Sequence, residues 1–237
     1  MAPIYRLTLR QISSGWRLLI MAVLAALPVI VAALTLRSSG APSVRGFEDA
    51  VLSHMLAGAI SPLVVLAIAT TAFGHEIEDG TLANLTLAPI PRWKIVLPKL
   101  LAPITVAGAF IAVSAYATGH LAYLGDVRAT LSVTAGALAG VALYAAAFVW
   151  LGLLTSRAVW VGLAYIVLWE ELFTGIVSGA RLFSVRYHSI ALTHGLDERR
   201  FPASDHPELG VVIAILAVAF AGFVWLSVRR LRRMDVP

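Results

Sequence analysis

Cysteine is absent from all 237 residues. That removes disulfides, thiolate metal sites and a cysteine nucleophile together, and leaves the redox compartment unmarked. Lysine is nearly absent as well. Only Lys94 and Lys99 occur, and neither follows a glycine, so the phosphate loop G-x-x-x-x-G-K-[ST] is not present. Charge is scarce, at 13% of residues, which is about half the share of an ordinary soluble domain. No polar stretch is long enough for a nucleotide-binding domain, which needs on the order of 100 residues or more. Together these absences exclude ATP hydrolysis by this chain alone.

What remains is apolar. Hydrophobic residues make up 59% of the chain and the mean hydropathy is +0.87, the composition of a protein built for a bilayer. The formal charge of +5 does not point to nucleic acid, because the basic residues are scattered between apolar segments and form no patch. They report orientation instead.

About 20 apolar residues are needed to cross a membrane, and six stretches meet that length, near 17–36, 51–73, 98–124, 129–154, 158–180 and 209–228. The first, with a 19-residue apolar run from Leu18 to Leu36, is longer than the core of a signal peptide and is read as a retained anchor. With Met1 inside, eleven basic residues fall on the inner side: Arg6, Arg10, Arg17, Arg92, Lys94, Lys99, Arg157, Arg229, Arg230, Arg232 and Arg233. Seven fall outside, where seven acids match them. The positive-inside rule then puts both termini in the cytoplasm. Ahead of the first span, Tyr5, Leu9, Ile12 and Trp16 recur at i, i+4, i+7 and i+11. That spacing predicts an interfacial helix over 4–16, lying on the inner leaflet among membrane lipids. The fold class expected is an all-α integral membrane protein forming one six-helix domain over 1–237.

The most sharply patterned stretch, residues 76–99, reads EIEDGTLANLTLAPIPRWKIVLPK and joins the second and third spans on the cytoplasmic side. Glu76, Glu78 and Asp79 mark the exit from the hydrocarbon, and Gly80 permits a tight turn. Thr81 is placed to cap a short helix whose Leu82, Leu85 and Thr86 share one face. Pro89 and Pro91 stop that helix, and Arg92, Lys94 and Lys99 flank the third span at headgroup depth. The residues alone fit either a docking lever or an ordinary interfacial loop.

Glu76, Gly80-Thr81-Leu82, Leu85, Pro89-Ile90, Arg92, Ile95 and Lys99 resemble the E-x-x-x-G-T-L…L…P-[IL]-x-R-x-x-I-x-x-x-K signature of ABC-2 type transporter permeases. The plan of six spans, an interfacial helix and a long external connection over 181–209 is similar too. The resemblance implies that Glu76, Gly80, Thr81, Leu82, Leu85, Pro89 and Arg92 belong to a coupling helix seated on a separate ATP-binding cassette ATPase. It further implies two ATPase copies, which carry the ATP and Mg, and a second permease subunit, identical or not. This chain would itself hold no cofactor. The setting implied is a bacterial plasma membrane, and a path rich in Ala, Leu, Val and aromatics suits export of a lipophilic or amphipathic molecule such as a drug, antibiotic or lipid.

Glu170 and Glu171 stand in the fifth span. Glu170 is 13 residues past Arg157, about 20 Å along a helix and two-thirds of the way across the core. Acids at that depth are costly unless paired or wet. They either line a substrate path or bind the external segment folded back, with Arg181 and Arg186 as candidate partners. Related permeases similarly carry re-entrant external helices before the last span. The acid pair also raises a glutamate-type intramembrane protease, whose pattern is E-E-x-x-x-R, then F-x-x-x-H, then H-x-x-x-[ND]. Here Gly175 fills the arginine slot, Tyr187 follows Phe183 by four, and neither His188 nor His194 has Asn or Asp four residues on. His75-Glu76 likewise fails H-E-x-x-H, because Asp79 takes the second histidine's place. The remaining histidines are dispersed, and no metal or catalytic site is expected.

Overall fold

The structure, a computed structural model, describes residues 2–13, 15–37, 44–78, 91–176, 178–201 and 206–233. Among these every regular element is a helix, with no strand. In order, the elements are α1 (Ala2–Ile12), α2 (Gly15–Arg37), α3 (Val44–Phe47), a π-helix (Glu48–Ile60), α4 (Ser61–Ala69), α5 (Thr71–Glu78), α6 (Trp93–Ala122) and α7 (Val127–Leu154). Then follow α8 (Ala158–Ala164), a second π-helix (Tyr165–Phe173), α9 (Thr174–Ile176), a 3-10 turn (Ser178–Phe183), α10 (Val185–Leu196) and α11 (Leu209–Arg233).

Among the described residues five helical runs are long and apolar enough to cross a membrane: Gly15–Leu36, Glu48–Gly74, Trp93–Ala122, Val127–Leu154 and Leu209–Arg233. This is an all-α integral membrane protein. The stretch expected as the fifth span is helical over 158–176, but as α8, the second π-helix and α9 in succession. The third span begins at Trp93 rather than 98, with Pro98 and Pro103 inside the helix. A proline ends a helix in water; in a membrane bundle, neighbouring groups satisfy the carbonyls it frees.

Two helix junctions fix the two ends of the bundle. At one, Leu124 and Gly125 take φ values of 51° and 84°, the left-handed region that glycine adopts without steric cost. Asp126 then caps α7 by accepting from the backbone N–H groups of Arg128 and Ala129 at 3.0 and 3.3 Å. The Tyr123 hydroxyl reaches Glu48 Oε1 at 3.2 Å, and Arg128 donates to the Leu196 carbonyl. This end therefore gathers the start of the first π-helix, the α6–α7 turn and the end of α10. At the opposite end Arg230 donates to the Leu153 carbonyl, and Gly152 passes so close to Thr70 that a Cβ would lie 2.9 Å from its carbonyl oxygen.

The helix ahead of the first span ends at Ile12, and Trp16 belongs to α2, so the expected 4–16 face is split between two helices. Thr8 and Ile12 are buried and the Tyr5 hydroxyl lies 3.1 Å from Thr105 Oγ1. The inward face of α1 thus packs on α6. The long connection before the last span is also packed inward. A Cβ on Gly136 would fall 2.1 Å from Thr193 Oγ1, and one on Gly140 would fall 2.5 Å from Ser189 Oγ. The small-xxx-small groove of α7 is filled by α10 from the same chain.

Candidate functional site: a polar knot at two π-helices

The two adjacent acids of the second π-helix face different surroundings. Glu170 is fully buried and Glu171 is partly open. Glu170 Oε1 accepts from the Tyr165 hydroxyl at 3.0 Å and from the Val185 backbone N–H at 2.9 Å, while Oε2 accepts from the Ser184 hydroxyl. Ser184 is the N-cap of α10 and also accepts from Tyr187 N at 3.1 Å. The carboxylate therefore sits at the N-terminus of α10, where unpaired N–H groups and the helix dipole favour negative charge. It acts as a cap supplied from another helix.

Glu171 is held by the Arg186 guanidinium and the His54 ring. Arg186 Nη1 lies 3.3 Å from Glu171 Oε1, and His54 Nδ1 lies 3.1 Å from Oε2. Arg186 also approaches His54 Nδ1 at 2.8 Å and donates to Thr174 Oγ1 at 3.0 Å. Asp49 stands 3.7 Å from the other ring nitrogen of His54. Arg181 does not touch either acid; its Nε donates to the Thr174 carbonyl at 3.2 Å, satisfying a carbonyl at the end of the helical run. Of the two candidate arginines, only Arg186 is brought to an acid. The cluster depends on a missing side chain: a Cβ on Gly58 would lie 2.3 Å from Glu171 Oε1 and 3.0 Å from Arg186 Cδ. His54, Gly58, Tyr165, Thr174 and Ser184 are not singled out by the sequence reading. Ser184 carried a usable signal, since a serine immediately before a stretch free of glycine and proline is a common helix N-cap.

The carboxylates do not share a site. His188 Nε2 is 2.9 Å from the Leu182 carbonyl and His194 stacks on Phe201 at 5.0 Å, whereas the Glu170 carboxylate bonds to Tyr165, Ser184 and Val185. The histidines are nonetheless less dispersed than the sequence implies. His194 and His206 meet edge to face with centroids 4.7 Å apart, and Phe201 in turn meets Tyr123 at 5.4 Å. Burial first, and the neighbouring His206 second, lower the His194 pKa from 6.5 to about 4.

Of the coupling residues, Gly80, Thr81, Leu82, Leu85 and Pro89 lie outside the described residues, as does the Glu76 side chain. Arg92 occupies the N-cap position of α6, where its carbonyl accepts from Ile95 N and Val96 N at 3.0 and 3.1 Å. Lys99 departs from expectation. It does not reach outward to the surface but is 1% exposed, donating to the Ala72 carbonyl beside the ring of Phe73.

The model of the ABC-2 family transporter proteins matches residues 9–183, well over half of the chain, and the protein belongs to that family. It is accordingly a multi-pass membrane permease subunit of an ABC transporter, a transport component and not itself the catalyst. No curated protein matches the sequence.

Proposed function

We propose that the chain forms the membrane path of an exporter for a lipophilic or amphipathic molecule, driven by a separate cassette ATPase docked on residues 76–92. The family match over 9–183 carries this reading, because it spans both helices that flank the docking segment. The working unit would pair two permeases, identical or not, with two ATPases that hold ATP and Mg. The eleven inner basic residues support cytoplasmic termini in a bacterial plasma membrane. The apolar character of the substrate is supported by the exposed side chains along the helical run 158–176 and beyond, Trp160, Phe173, Ile176 and Phe183. The polar knot holds that run against α10 and the first π-helix, and so serves as scaffold beside the path.

The test is purification of the chain from its native membrane in mild detergent, with mass spectrometry of bound proteins. A cassette ATPase should accompany it, and in lipid its hydrolysis should rise with amphipathic compounds. Recovery of the chain without any ATPase, across several detergents, would contradict the reading.

A further inference from the structure

Lys99 is among the largest fully buried side chains of the protein. It lies on α6, six residues past Trp93, about 9 Å into the helix. Its Nζ donates to the Ala72 carbonyl and stands 4.6 Å from the centre of the Phe73 ring, itself buried. Packing does not demand a lysine here; a methionine fills a similar space without a polar head. Burying an amine is costly unless it is held by polar partners, so what this lysine adds is a directed bond from α6 to the start of α5.

The position of α5 gives that bond a use. It is separated from α4 by Thr70 alone, where Thr70 Oγ1 donates to the Leu66 carbonyl and Thr71 Oγ1 to the Ile68 carbonyl, at 2.8 and 2.9 Å. Such back-bonding from threonine bends helices. The backbone of Thr70 is pressed against Gly152 of α7. Helices α5 and α6 are also the two that bracket residues 79–92.

We propose that Lys99 is a positioning residue for energy coupling. By clamping α5 to α6, it makes the two arms of the docking segment move as one body, so that displacement of the segment bends the second helix at Thr70. Without the clamp, α5 would swing alone and the displacement would be lost before the membrane core. The inference rests on the reading of residues 76–92 as the ATPase-docking element.

The chain lacks cysteine, which allows paired spin labels to test the clamp without any ATPase. Gly74→Cys and Trp93→Cys place one label on each arm; a Cβ at Gly74 meets nothing within 4 Å and Trp93 is exposed. In the full-length protein in lipid nanodiscs the distance distribution should be narrow. It should broaden at least twofold in Lys99→Met and to a lesser degree in Phe73→Leu, which keeps the amine and so covers the case in which Lys99→Met does not fold. In the complex with its co-purifying ATPase, Lys99→Met should retain the ATPase yet move less than a tenth as much substrate per ATP hydrolysed. An unchanged distribution in both variants, or wild-type transport per ATP in Lys99→Met, would overturn the clamp. Absence of an ATPase from the wild-type preparation would sink the docking reading instead and leave the label measurement to decide the clamp.

Discussion

Substituting Glu170 by glutamine removes one charge at nearly constant volume and separates the role of that acid from its neighbour's. Three donors converge on Glu170: the hydroxyls of Tyr165 and Ser184 and the N–H of Val185. A glutamine carbonyl can accept two of them, while its NH2 faces the third. Bonds to a charged acceptor are worth about 1.5–3 kcal/mol and neutral ones about 0.5–1.5, so two weakened bonds lose about 1 kcal/mol each. The orphaned buried donor adds about 1–3 kcal/mol. Glu170→Gln should therefore cost about 3–5 kcal/mol, or roughly 10 °C in apparent Tm for a chain of this length. Glu171→Gln removes one end of a partly exposed pair, and Arg186 keeps its bonds to Thr174 and His54; about 1 kcal/mol is expected. Intrinsic tryptophan fluorescence during heating in detergent measures both. Equal losses in the two variants, or a larger loss in Glu171→Gln, would refute the assignment of Glu170 as the buried cap of α10.

Gly58→Val should lower Tm by an amount equivalent to about 1–3 kcal/mol, because its first carbon collides with Glu171 Oε1; wild-type stability would mean that the first and second π-helices are not apposed there. His194 has a folded pKa of about 4 against 6.5, so the folded state disfavours its proton. Stability is then full above about pH 6.5 and falls as pH drops toward 4, and His194→Phe should flatten that limb of the Tm–pH curve; an unaltered slope would contradict the buried, neutral imidazole. Single cysteines at Ser38, Asp126 and Asp205 should label from outside intact cells, and those at Thr86 and Met234 should not; labelling of Asp126 only after permeabilisation would break the six-span topology.

The all-helical class and the approximate limits of most long helices were legible because twenty-residue apolar runs have no other economical fold in lipid. The Glu170–Glu171 pair was legible as an anomaly, since acids deep in an apolar run require a reason. Its partners were only half legible. Arg186 could be nominated by charge and proximity, but Val185 contributes a backbone N–H, which no side-chain pattern displays, and Arg181 spends its guanidinium on a carbonyl instead. Lys99 was misread for a physical reason: a lysine near the start of a span looks like one that snorkels to the headgroups, and only packing against Ala72 and Phe73 shows that it points inward. The pairing of His194 with His206 was hidden because it joins α10 to the approach to α11, a contact set by the tertiary fold and by no local period.

The central claim is that a separate ATPase docks on residues 76–92, and the most direct measurement is its recovery with the Leu85→Asp variant beside the wild type. Leu85 is the apolar residue of the 76–99 signature on which the expected docking face turns, and an unpaired carboxylate buried there would cost several kcal/mol. Leu85→Asp should reach the membrane at wild-type levels, keep its Tm, and lose the ATPase and transport together. An ATPase retained in wild-type amount, with transport intact, would show that this segment is an ordinary connection on the membrane surface.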